Sequence, residues 1–248
     1  MRQRAETRIA MEVSQRVAYI TIRRPEAKNA LTKAMYAAIG DACLRAGKDS
    51  DVDAVVLQGS DGTFAVGGDL KEMLDALNAD PAKLLDYEDY LPFEILRTLS
   101  KPTIACIDGL CIGGGLTLAL MCDCLIATDR SRFAIPEAKV GIVDGHLPRL
   151  LRETVPPARL RYWMYTGTLF SAQEAYDVGL LSKLVHANQL DETLATMLRE
   201  FQGSSPEAIR HLKVVLNETR PLSPMTDAYL TMLQPHTKKR LEAFAGRT

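Results

Sequence analysis

Over its first 145 residues the chain alternates strand-like and helix-like stretches, and that order restricts the fold more than any single motif does. "IAMEV" (9–13) and "VAYITIR" (17–23) alternate as a strand pair around a Ser14-Gln15-Arg16 turn. "AVVLQG" (54–59), "TIACI" (103–107) and "CLIAT" (124–128) are buried strands. Helices are expected at about 32–49, 70–78 and 81–99, the last opened by Asp80 as N-cap and Pro81 in the first turn. Pro25 ends the second strand, so "RPEAKNAL" is a loop, and "RFAIPEAKVGIV" reads as extended and then a loop. From about Leu147 the pattern is almost all helical, with a boundary near 179–185. Strand and helix in alternation indicate an α/β architecture with a helical cap. A length of 248 residues suits one domain, or one with a small appendage.

Charge and composition narrow the partners. With 30 basic against 31 acidic residues, nothing suggests a nucleic-acid or membrane binder. The most apolar stretch, 110–122, is well short of the roughly 20 residues of a membrane span. The first 28 residues hold seven Arg/Lys against three Glu, and Lys238-Lys239-Arg240 forms a second basic cluster. Both read as solvated surface or as contacts for phosphates. Cys43, Cys106, Cys111, Cys122 and Cys124 are scattered and odd in number, which fits reduced, buried thiols in a cytoplasmic protein.

Several chemistries lack their motifs. There is no G-x-G-x-x-G, no Walker sequence and no G-x-S-x-G. His146, His186, His211 and His236 show no ligand spacing, so no metal site and no bound cofactor are expected. What the chain does have is two glycine-rich loops between strand and helix, "FAVGGDL" (64–70) and "DGLCIGGGL" (108–116). A glycine run lets backbone approach another group closely, and a helix start carries free N–H groups. One amide from each loop, Gly68 and Gly114, would make an oxyanion hole for a thioester or other carbonyl oxygen.

"RPEAKNAL", "FAVGGDLKEM", "KPTIACIDGLCIGGGLTLALMCDCLIATDRSRFAIPEAKVGI" and "TGTLFSAQEAYDVGLLSKLV" together resemble, in order over residues 17–186, the signatures of the enoyl-CoA hydratase/isomerase (crotonase) superfamily. The resemblance implies a crotonase-like α/β fold, a ββα spiral, over 1–186, with a C-terminal helical trimerisation region over 187–248. It implies a homotrimer or hexamer, an acyl-CoA substrate in which coenzyme A is part of the substrate rather than a cofactor, and an enolate held by Gly68 and Gly114. The family's CoA-binding stretch falls on Arg24, Ala27 and the loop Ala65–Leu70, which includes Gly67 and Asp69; Gly113 and Thr117 join the candidate substrate contacts.

Typical hydratases of the family use two glutamates. One matches Glu137 in "IPEAKVGI"; the other, in a G-G-G-x-E pattern, falls on Thr117. A threonine hydroxyl is no base near neutral pH, though it can position water or line the cavity. A single glutamate suits double-bond isomerisation, and the sequence reading leans that way. Hydration with Glu137 alone would be slow, and Asp144 in "GIVDGHLPRL" is the candidate second acid, unless it is only a helix N-cap or turn residue; His146 beside it reads as surface or loop support. Tyr87, Tyr90, Leu91 and Phe93 are candidates to line the acyl pocket. A non-catalytic, RNA-binding member of the superfamily is the non-enzyme alternative, disfavoured because the helix at 32–49 is only weakly basic.

Overall fold

In a computed structural model, the structure describes residues 8–80, 89–218, 237–239 and 242–243. The large sheet is built from β1 (Ile9–Ser14), β2 (Val17–Ile22), β3 (Ala54–Gln58), β5 (Thr103–Ile107), β7 (Cys124–Thr128) and β10 (Lys183–Val185), in that spatial order. Only the β1–β2 hairpin is antiparallel; every later pairing in this sheet is parallel. Successive side chains leave a strand on opposite faces. Accordingly Val55, Leu57, Ala105, Ile107, Leu125 and Ala127 join one core, and Ala54, Val56, Ile104, Cys106 and Ile126 join another. The first core packs under α1 (Lys33–Lys48), whose Met35, Tyr36, Ile39, Cys43 and Ala46 are buried at helical spacing. Thr32 starts that helix by accepting a hydrogen bond from the Met35 amide, 3.2 Å away.

A second sheet of four short strands runs β4 (Thr63–Ala65), β6 (Leu110–Ile112), β8 (Arg132–Ala134) and β9 (Phe170–Ser171). β4, β6 and β8 are parallel neighbours, and β9 is antiparallel to β8. Three helices leave this sheet: α2 (Leu70–Ala79) after β4, α4 (Gly114–Leu120) after β6 and the single turn α5 (Glu137–Val140) after β8. α3 (Phe93–Thr98) lies between the first two in chain order. The C-terminal part begins with α6 (Leu147–Leu151), α7 (Pro157–Thr166) and α8 (Ala172–Asp177) and continues through α9 (Leu190–Gln202) and α10 (Pro206–Glu218). Leu194, Met197 and Leu198 of α9 cover the second face of the large sheet.

Two expectations need correction. The helix over 81–99 is confined, within the described residues, to Phe93–Thr98; Pro92 stands at its start, where a ring without an N–H is tolerated. Its first part, 81–88 with Tyr87, lies outside the described residues. The stretch "RFAIPEAKV" is a strand followed by a helical turn, not an extended run and a loop. The region beyond Leu147 is almost all helical, as expected, with two short strands besides: β9 extends the small sheet and β10 closes one edge of the large one. The division at 186/187 falls just after β10. The basic N-terminal arm to residue 7 and Arg240 also lie outside the described residues.

Candidate active site

Three adjacent parallel strands each deliver one candidate residue just past their carboxyl ends. Gly68 follows β4 by three residues, Gly114 follows β6 by two, and Glu137 follows β8 by three. Ligands of parallel sheets gather at the carboxyl ends of their strands, and the pairings Ala65↔Cys111 and Ile112↔Ala134 bring these three ends together. They open on a cavity of about 890 Å³ lined, among others, by Tyr36, Gly68, Gly114, Phe93, Glu137 and Asp144.

The glycines are there because side chains would fill the site. Gly113 has φ +54°, and a Cβ on it would stand 2.6 Å from Glu137 Oε1. At Gly67, with φ +95°, a Cβ would stand 3.1 Å from the Gly114 nitrogen, covering that amide. Among the described residues, the Gly68 and Gly114 amides donate none of the loop backbone hydrogen bonds, whereas Gly113 donates to Ala134 and Asp69 to Leu31. Two free amides thus sit at two touching loops.

Two acids share the cavity with them. Glu137 is half-buried at the start of α5, and its Oε2, itself enclosed, has no hydrogen-bond partner. Burial, and then the nearby charge of Asp144, push its carboxyl up to about 8, so it holds a proton near neutral pH. Asp144 is 7% exposed and reaches the cavity. Its Oδ1 accepts from the amides of His146 and Leu147, both at 2.7 Å, and its Oδ2 accepts from the Thr117 hydroxyl at 2.9 Å. The capping and pocket readings of Asp144 therefore both hold: one oxygen caps α6, the other reaches Thr117. Thr117 itself is fully buried and does not line the cavity; it lies behind Asp144 and steadies it. His146 is buried with its ring edge-on to Phe93, at 5.2 Å between centroids, and supports the wall without entering it.

The same cavity is lined by Arg24, Ala27, Gly67, Asp69 and Leu70, and by Lys28 and Lys71. Arg24 is paired with Asp69, which also caps α2 by accepting from the Lys71 and Glu72 amides. Burial opposes the charge on Asp69, but those amides and the guanidinium more than offset it and hold its carboxyl below the ordinary range. Ala65, in contrast, is buried within β4 and lies behind the glycines, where its carbonyl would be 2.3 Å from a Cβ on Gly115. Leu91 and Phe93 line the cavity; Tyr90 is 41% exposed beneath the Lys33 ammonium.

Sequence reasoning missed Tyr36. It is 4% exposed, lines the cavity, and its hydroxyl is 2.9 Å from where a Cβ on Gly114 would be. Its only signal was a polar atom on the buried face of an amphipathic helix, four residues after the N-cap.

Comparison with known proteins agrees with this geometry. The model of a family described as enoyl-CoA hydratase/isomerase matches residues 12–240. A "probable enoyl-CoA hydratase" of Mycobacterium bovis is 36% identical over 211 residues, covering 84% of this chain and 80% of the relative. A crotonyl-CoA hydratase of Syntrophomonas wolfei is 30% identical over 249 residues, covering 95% and 94%. Among solved structures, an enoyl-CoA hydratase from Bacillus halodurans superposes with a TM-score of 0.86 at 24% identity, covering 95% of this chain and 99% of that one, a likeness of fold.

Proposed function

We propose a reaction from one premise: the chain belongs to the enoyl-CoA hydratase/isomerase family and is an enzyme of acyl-CoA thioesters. The reaction is addition of water across the α,β double bond of an enoyl-CoA. The observation that carries it is Asp144, held at the cavity wall by Thr117 and beside a protonated Glu137. The leaning toward isomerisation rested on a pocket with one carboxylate; Asp144 supplies a second from a different segment than the family pattern uses.

The steps follow from a protonated Glu137 with a second carboxyl group beside it. Asp144 Oδ2 accepts one hydrogen bond from the protein and keeps a lone pair for water. Water adds to the β-carbon as its proton passes to Asp144, and the electrons of the double bond move onto the thioester oxygen. Gly68 and Gly114 N–H groups stabilise that oxygen, an interaction stronger in the enolate than in the ground state. Glu137 then delivers its proton to the α-carbon, and proton exchange between the two acids resets the site. Arg24, Lys28 and Lys71 line the cavity and suit the CoA phosphates. No resident cofactor enters this scheme. Exposed Leu212, Val215 and Leu216 on α10 support the trimer or hexamer that the family implies, and the free, mostly buried cysteines support a cytoplasmic setting.

Isomerisation is the second reading, favoured by the three hydrogen bonds that already occupy Asp144. The two readings make opposite demands on Glu137, because hydration starts with it as an acid and isomerisation starts with it as a base. The pH profiles of kcat/KM for an α,β- and a β,γ-unsaturated acyl-CoA decide between them. Hydration predicts activity on the former that declines as pH rises past about 8, the value that burial gives Glu137. A rate that climbs through the same range, on the β,γ substrate and without water uptake, would replace it with isomerisation.

A further inference from the structure

The Tyr36 hydroxyl has no place in the scheme above, yet it stands at the middle of the site. α1 fixes the ring: the Thr32 cap sets the helix start, and Phe93 packs edge-on at 6.1 Å and 87°. Phe93 is itself pinned by the His146 ring. The hydroxyl points into the small space that Gly114 leaves by having no Cβ. It lies 2.9 Å from that missing Cβ, and the Gly68 nitrogen lies 3.6 Å from the same point. Amide nitrogen and phenol oxygen therefore border one volume.

Among the described residues, no hydrogen bond uses this hydroxyl, although the side chain is almost wholly buried. The hydroxyl oxygen is not among the fully enclosed polar atoms that lack a partner; it opens on the cavity, where an acceptor on a bound ligand can meet it. The charge state agrees: burial, then the charges of Asp144 and Glu137, raise the phenol well above its ordinary range, so it stays a neutral donor.

We propose that the Tyr36 hydroxyl is a third hydrogen-bond donor to the thioester oxygen, beside the amides of Gly68 and Gly114. The inference rests on the acyl-CoA reading of this pocket and adds to it a catalytic side chain on an element, α1, that carries none of the other site residues. A phenol bonds an enolate oxygen more strongly than a carbonyl oxygen, since the bond becomes charge-assisted. Its contribution therefore belongs to the enolate and not to binding of the resting substrate.

The test separates those two states without depending on which reaction the enzyme performs. Acetoacetyl-CoA, a β-keto thioester that ionises to an ultraviolet-absorbing enolate, reports the charged state. Butanoyl-CoA, which is saturated, reports binding alone. In Tyr36→Phe the ring and its packing on Phe93 remain. Butanoyl-CoA affinity is expected to stay within about twofold, while the enolate fraction of bound acetoacetyl-CoA at fixed pH falls on the order of tenfold or more. Tyr36→3-fluorotyrosine, a stronger donor of nearly the same size, should move the enolate fraction the other way. Equal ionisation in wild type and Tyr36→Phe overturns the inference alone, as does an equal loss of affinity for both thioesters, which would make Tyr36 a packing residue. A wild-type protein that binds neither thioester overturns the acyl-CoA reading and this inference with it.

Discussion

The two halves of the pocket are built from different materials. The half that would hold the thioester oxygen is mostly main chain, with Gly68 and Gly114 set by the register of β4 against β6. The half that would move protons is side chain, with Glu137 on a single helical turn and Asp144 in the loop before α6. A backbone donor can be relocated only by moving a strand. A carboxyl group can be supplied from any segment that reaches the spot. On the proposed reading, that difference would let Asp144, 27 residues further along the chain and hydrogen-bonded to Thr117, supply the acid where the family resemblance expects a glutamate.

The contrast can be broken most severely at Glu137. Glu137→Gln keeps the shape and removes the proton donor, and turnover should fall by about a thousandfold or more in steady-state assays. Next comes the main-chain half. Gly67→Ala places a methyl 3.1 Å from the Gly114 nitrogen at a φ of +95°, so it both strains the loop and covers the amide. A loss of about a hundredfold in kcat is expected; unchanged activity would show that the Gly114 amide takes no part. Asp144→Asn should cost hydration on the order of a hundredfold and leave isomerisation of a β,γ substrate little changed.

Thr117→Val removes only the donor behind Asp144. A several-fold loss of hydration and about 1 kcal/mol of stability are expected. A thousandfold loss would instead assign Thr117 a direct role. A different kind of effect is on stability itself. The carboxyl of Glu137 is raised in the fold from 4.5 to about 8, so between those values the unfolded chain is ionised there and the folded one is protonated. Stability is therefore complete below the lower value and is lost as pH rises toward the upper one. The Tm advantage of Glu137→Gln over wild type should grow over that window and level off above it, as followed by circular dichroism.

The sequence was readable where a physical signal is local. Helix 32–49 is observed as Lys33–Lys48, and the strands at 103–107 and 124–128 end where their apolar runs end. Both glycine loops were evident because closely approaching backbone has few other ways of being encoded. The small sheet was not, since "TFA", "LCI" and "RFA" are three-residue strands too short to show a period of two. "KLV" at β10 is equally brief and follows a long helical stretch. Asp144 was recognised as an acid but could not be placed, because its partner Thr117 is close only in space. Tyr36 looked like ordinary core, since nothing in an amphipathic helix distinguishes a hydroxyl facing a cavity from one facing packing.

Parallel pairing of β4 with β6 also acts as a ruler. Neighbouring strands stand about 4.8 Å apart. Two N–H donors that share one oxygen, each about 2.9 Å away and approaching along lone pairs roughly 110° apart, must themselves be about 4.8 Å apart. Two loops leaving adjacent strands at the same level therefore inherit the span of a two-donor cradle, before any side chain is chosen. Insertions that lengthen the loops elsewhere leave that span intact, whereas a slip of one residue in the β4–β6 register would destroy it without changing a single atom of the pocket's chemistry.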